Sequence, residues 1–224
     1  MSSSAAPDAP DISLSRQIFD TVRDRIILGH YRQGSRLPEQ RIGEELHVSR
    51  VPIREAVPLL ERDGFVHTFP RRGAIVTRWD TKAIDDLFDV RLSLEVGAAK
   101  FAAREVGAGA PLDRLDGALK RAQQRVEEHD LYEIASTSTA FHEAVVETAD
   151  NELLLRLMRT ISGRMTWLFF LTSGLPAEDA FRDHVMLRDA IASGNERVAE
   201  ALAYAPIERD RQPTFDAMRD QLDR

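Results

Sequence analysis

Two arginines four residues apart, Arg50 and Arg54, stand in the run Ser49-Arg50-Val51-Pro52-Ile53-Arg54-Glu55. On a helix that spacing puts both guanidinium groups on one face. Ile53, Val57 and Leu60 recur at i, i+4, i+7 and turn a different face toward a core. Ser49 suits the N-cap, where its hydroxyl is expected to accept from a first-turn N–H. Pro52 falls inside that first turn, where a missing N–H costs little. Arg36 and Gln40 come before the pair, and Pro70-Arg71-Arg72-Gly73 puts two more arginines at a tight turn after it. A guanidinium fork matches both phosphate oxygens and guanine edges. Two arginines on one helix face beside a basic turn make an electrostatic footprint for nucleic acid, which outweighs the plainer reading of a solvated helix surface.

A second group lies further along. Arg91 and Glu95 sit at i, i+4 in a helix that is otherwise apolar on nearly every side: Ile84, Leu87, Phe88, Val90, Leu92, Leu94, Val96, Ala98. A charge buried there needs a partner. Either the two pair with each other, or Arg91 lines a cavity and takes a carboxylate in bidentate fashion. His142 shares a face with Ala135, Ser138 and Val145, and His184 with Phe181 and Ile191, which suits satisfied polar groups lining a pocket. Catalytic patterns are missing. His142-Glu143 is no zinc-protease motif, because Val146 holds the place of the second histidine. Ser138 and His142 are spaced as a hydroxyl–imidazole pair but have no evident oxyanion donor or acidic orienter. The chain has no GxSxG, P-loop or GxGxxG run.

The elements that must hold these residues follow from periodicity. A first helix is predicted over 13–28, with Leu14, Ile18, Val22 and Ile26 on one stripe and Gly29 as the stop. A helix around Ile42 and Leu46, a turn at Val48, the Ser49 helix and strands over 65–69 and 74–77 make a winged helix-turn-helix, whose second helix enters a major groove. Pro58 disturbs that helix. It removes one hydrogen bond and presses on the Arg54 carbonyl at a cost of about 3 kcal/mol, which predicts a kink after Arg54. Beyond residue 82 six helices are expected, over 83–104, 111–129, 131–148, 152–172, 177–193 and 196–204, separated by Gly, Asn and Pro breaks that include Pro206. The fold class is mainly α: an N-terminal winged helix-turn-helix and a C-terminal all-α bundle. The expected boundaries are a disordered tail over 1–11, the winged domain over 12–78, a hinge at 79–82, an effector-binding and dimerisation domain over 83–212 and a tail over 213–224.

A net charge of −7 argues against a nucleic-acid binder until its distribution is considered. Residues 1–79 hold 12 Arg/Lys against 10 Asp/Glu, and the remainder 18 against 27, so a slightly basic module is joined to an acidic one. The absence of cysteine excludes disulfides and thiolate chemistry. Met1–Pro10 has no apolar core of the signal-peptide kind. The most apolar run, 165–171, is far too short to span a bilayer. A cytoplasmic protein with no membrane partner is expected.

Gly29-x-Tyr31-x-x-Gly34-x-x-Leu37-Pro38-Glu39, Val48-Ser49-Arg50-x-Pro52-x-Arg54-Glu55-Ala56, Gly64-Phe65-Val66 and Gly73 resemble the DNA-binding domain of GntR-type transcriptional regulators. Leu87-Phe88-Asp89-Val90-Arg91-Leu92-x-Leu94-Glu95, Phe141-His142, Ala149-Asp150-Asn151 and His184 ahead of Gly194-Asn195 resemble the FCD effector domain of the FadR branch. The resemblance implies DNA contacts by Arg50, Arg54 and the wing tip Arg71-Arg72-Gly73. Arg36, Gln40, Ser49 and Pro52 complete the expected set, Gln40 at a place where some members carry an arginine. It also implies a homodimer on double-stranded operator DNA, acting as a repressor, and an effector, expected to be a small carboxylate, at Arg91, Glu95, Ser138, His142 and His184. Many such domains hold a divalent metal through an aspartate and three histidines. Here Ser138 and Pro206 stand at two of those places, and His142 and His184 alone make a poor site for Zn or Ni. The rival reading is an enzyme or metal-binding bundle whose winged domain serves dimerisation or protein contact. A third is a regulator whose operator binding Pro58 has abolished.

Overall fold

In the computed structural model, which describes residues 13–222, α1 (Leu14–Ile27) opens on Ser13, whose hydroxyl accepts from the Arg16 N–H at 3.3 Å. It buries Ile18, Phe19, Val22, Ile26 and Ile27. Leu14, which its spacing placed on the same stripe, sits in the open first turn and stays 49% exposed. The chain divides into two compact units between Thr77 and Arg78. The tail expected over 1–11 lies outside the described residues.

In the first unit α2 (Glu39–Leu46) ends at His47 in the left-handed conformation, φ 53°, with its N–H on the Gly43 carbonyl. A Cβ at Gly43 would come within 3.0 Å of the Val48 carbonyl, so glycine lets the turn fold tightly against the helix it leaves. Next, α3 (Arg50–Arg62) buries Ile53, Ala56, Val57 and Leu60. Pro58 lies inside it. The proline ring stands on an exposed face, and burial of the opposite apolar face carries the helix past the lost hydrogen bond. The strands β1 (Val66–Phe69) and β2 (Gly73–Val76) pair antiparallel, Val66 against Val76 and Phe69 against Gly73. Residues 34–37 run along the far side of β2, with Leu37 donating to Ala74 and Val76 to Ser35.

Every regular element among the described residues of the second unit is a helix. Helix α4 (Thr81–Gly107) is capped by Asp80, whose carboxylate accepts from Ala83 at 2.7 Å. It is followed by α5 (Asp113–Glu128), α6 (Leu131–Thr148), α7 (Glu152–Leu171) and α8 (Ala177–Ala192). The expected hinge is part of the core on one side: Trp79 is buried and meets Trp167 edge-on at 5.7 Å. The largest departure is α9 (Glu196–Leu222), which passes through Pro206 and Pro213 where a break and then a tail were expected. Its buried positions, Ala199, Ala203, Ile207, Thr214 and Met218, run as one stripe through both prolines. Continuous burial on the bundle outweighs two local penalties.

Pro58→Ala returns an N–H to the Arg54 carbonyl at an exposed site. It is expected to stabilise the first unit by roughly 1–3 kcal/mol, read as a higher urea midpoint. An unchanged or lower midpoint means the fold already absorbs the cost of the proline.

Candidate DNA interface and effector cavity

Arg50 and Arg54 project from α3 into solvent, held only by long restraints from α2. Arg50 Nη2 lies 3.4 Å from Gln40 Oε1, and Arg54 Nε lies 3.8 Å from a Glu39 carboxylate oxygen with the arginine 70% exposed. Contacts of that length on an exposed surface exchange readily for a phosphate or a base edge. Ser49 takes the N-cap backbone conformation, yet its hydroxyl makes no cap bond. A cap hydroxyl accepts from the second or third helical N–H, and the third helical residue here is Pro52, so one of the two usual donors is missing.

At the wing tip the Arg72 N–H donates to the Phe69 carbonyl at 3.2 Å, closing a turn with Pro70 second and Arg71 third. Arg71 adopts φ 65°, a left-handed third position that turns of this kind usually give to glycine or asparagine. Gly73 follows at φ 75°, and the Arg36 guanidinium packs 3.5 Å from where a Cβ would stand. Arg36, Arg71 and Arg72 are all exposed. The first unit thus presents every residue of the expected contact set at its surface, at least in part. Two further residues carry the arrangement and escaped sequence reasoning. Glu61 accepts from the Thr68 N–H at 2.7 Å, tying the end of α3 to β1, and that bond holds its carboxyl below the usual range. Arg41, 72% exposed and paired with Glu45, adds a cation next to Gln40. An arginine or glutamate outside a spaced motif carries no signal that separates it from ordinary surface charge.

In the second unit Arg91, Glu95, Ser138, His142 and His184 all line one cavity of about 470 Å³. Arg91 pairs with Glu95 and also lines the cavity. Its Nε donates to Glu95 Oε1 at 2.7 Å and its Nη2 lies 3.4 Å from Oε2, which leaves Nη1 for the cavity. The guanidinium also lies over the Phe169 ring, 5.0 Å from its centre. His142 Nδ1 meets Glu95 Oε2 at 2.8 Å, so Ser138 is not its partner. Glu95 is 3% exposed. Burial alone would raise its pKa, but Arg91 and then His142 outweigh that and hold it at about 2.

His184 departs from expectation. Its ring stacks on Phe141 at 4.3 Å and stands edge-on to His142 at 5.0 Å, yet its buried Nδ1 has no hydrogen-bond partner. Burial, then the neighbouring His142 and Arg91, push its pKa well below the ordinary imidazole value, so the ring is neutral. With Nδ1 buried and unpartnered, Nε2 is the nitrogen left to meet a ligand. The donors do not fit a Zn or Ni site. Ser138 and Pro206 line the cavity where further ligands would have to stand, His142 spends Nδ1 on Glu95, and no metal-holding group of three His, Asp or Glu occurs among the described residues. No helix among those residues is long and apolar enough to cross a membrane.

The model of bacterial regulatory proteins of the gntR family matches residues 14–76, and that of the FCD domain matches residues 86–209. The chain is 28% identical over 212 residues to a protein of Paenarthrobacter nicotinovorans named "Probable D-xylose utilization operon transcriptional repressor", covering 92% of this chain and 93% of that one. It is 29% identical over 204 residues to the HTH-type transcriptional regulator LutR of Bacillus subtilis, covering 80% and 91%. Among solved structures, a transcriptional regulator GntR from Rhodococcus sp. RHA1 superposes with a TM-score of 0.78 at 25% identity, covering 92% of this chain and 99% of that one. The matched families are regulators and none is an enzyme family, which leaves the rival reading without support.

The left-handed arginine separates stability from function. Arg71→Gly is expected to raise stability by about 1 kcal/mol while weakening binding to promoter DNA, measured by thermal denaturation and by titration of a labelled fragment. Equal or tighter DNA binding by the variant would show that the guanidinium makes no contact.

Proposed function

The chain belongs to the gntR family of bacterial regulatory proteins and carries an FCD domain, and from that premise we propose that it is an effector-responsive repressor, acting as a homodimer on a short palindromic operator. It is a DNA-binding transcriptional regulator and not an enzyme. The observation that carries the DNA reading is the pair of exposed guanidinium groups on α3 with only weak restraints of their own. Arg50 and Arg54 read base edges or phosphates in the major groove, with Ser49 and Pro52 at the mouth of the helix, and Arg36, Gln40, Arg71, Arg72 and Gly73 anchor the flanking backbone. A two-fold protein matches two half-sites. Leu153 and Leu157, one turn apart on α7 at 68% and 50% exposure, give a second copy an apolar face to cover.

The effector is a small organic acid held by Arg91, His142, His184 and Ser138 directly, without a divalent metal. Support comes from a buried Arg91 that keeps Nη1 spare beyond its Glu95 pair, beside the rings of His142 and His184, inside a cavity of ligand size. The acid changes operator affinity only by as much as it prefers one of the DNA-competent and DNA-incompetent states. Repression is the sign carried by the D-xylose operon relative's name.

Arg50→Ala and Arg54→Ala test the DNA reading on the promoter fragment beside the protein's own gene. Each is expected to weaken binding roughly 10- to 100-fold and to lower the slope of log K against log salt by about one where a phosphate contact is lost. Binding that ignores both substitutions, or does not fall with salt, contradicts this reading.

A further inference from the structure

We propose that the cavity of the helical unit takes a monocarboxylate with an apolar body, an alkanoic or aryl-alkanoic acid, in preference to a sugar acid or a di- or tricarboxylate. The proposal rests on the reading that this unit binds a small acid, and narrows it to a class.

The charges around the cavity set the count of carboxylates. The arginines lining it are Arg91, Arg182 and Arg209, each paired with a carboxylate: Arg91 with the buried Glu95, the other two with aspartates at the exposed mouth. Arg209 Nη2 donates to Asp183 at 2.7 Å and its Nε to Asp210 at 2.8 Å, while Arg182 Nη1 donates to Asp179 at 2.9 Å. Inside the cavity the spare N–H groups are Nη1 of Arg91 and, with the buried Nδ1 of His184 left bare, Nε2 of that ring. A second carboxylate on the same ligand would reach a mouth where Asp179, Asp183 and Asp210 already hold the cations, and would be repelled.

The walls set the rest of the molecule. Val126 from α5, Leu131 and Ile134 from α6, Leu175, and Leu202 and Ile207 from α9 face the cavity. The hydroxyls of Thr137 and Thr172 donate back into their own helices, to the Glu133 and Leu168 carbonyls at 2.7 Å and 2.9 Å, so both offer a ligand only acceptor lone pairs. A polyol laid against these apolar side chains loses water there without recovering its hydrogen bonds. An apolar chain meets surface that gains from being covered.

Isothermal titration calorimetry on the full chain tests this with butyrate, hexanoate, octanoate, 4-phenylbutyrate, gluconate, succinate and citrate. The dissociation constant is expected to fall roughly fourfold per added methylene from butyrate to octanoate, with gluconate, succinate and citrate all weaker than octanoate. Arg91→Gln is expected to weaken octanoate roughly 10- to 100-fold. Leu202→Gln, on the wall and away from the charged pole, is expected to weaken octanoate while leaving butyrate nearly unchanged, and circular dichroism checks that both variants fold. Tighter binding of gluconate, succinate or citrate than of octanoate overturns the apolar class and leaves the acid reading standing. Binding of no acid at all overturns both. Octanoate binding that neither substitution alters is adsorption elsewhere, and overturns the site.

Discussion

A single carboxylate, Glu95, organises the helical unit. It is buried between Arg91, one turn away on α4, and His142 on α6. An isolated buried charge is prohibitively costly, and a paired one is tolerated only when its remaining lone pairs are satisfied. Both oxygens here have cationic or imidazole partners, and the group stays ionised down to about pH 2. The pairing orients both partners: it fixes the Arg91 side chain by two of its three nitrogens and selects which face of the His142 ring meets the cavity. Arg91 and the rings of His142 and His184 form a fixed polar cluster, which is the preorganisation a small-ligand site needs.

The DNA-binding unit solves the opposite problem. Its arginines must be displayed and not held, and the fold accepts local cost for that. Arg71 keeps a left-handed backbone where glycine would fit more easily, and Ser49 occupies a cap where Pro52 removes one of the two usual donors. Strain and unsatisfied groups of this kind tend to gather where a surface is shaped for a partner. The rigid parts lie beneath: the buried stripe of α3, the Gly43 turn, and the Glu61–Thr68 bond that fixes the wing to the helix.

Periodicity made most of the architecture legible, because an apolar stripe has only one face to bury. The two-helix turn, the wing within a residue at each end, and the helices of the second unit ahead of α9 follow from it. Pro206 is a break by local penalty alone, and burial along α9 outweighs it. For the cavity, Arg91 and Glu95 were recognisable as charges on an apolar helix. That Glu95 would also hold His142, or that His184 would be left with an unpartnered nitrogen, depends on side chains brought together from helices far apart in sequence, and no spacing rule encodes that. Glu61 was invisible for the same reason.

The chain has six histidines, of which His142 and His184 line the cavity while His30, His47, His67 and His129 do not. Nuclear magnetic resonance of the imidazole nitrogens in 15N-histidine-labelled protein, recorded with and without octanoate, tests the Glu95-centred pole directly. The expected result is a change confined to His142 and His184, with the other four rings as internal references. Unchanged cavity rings in protein saturated with the acid, or a change spread evenly over all six, would contradict the account.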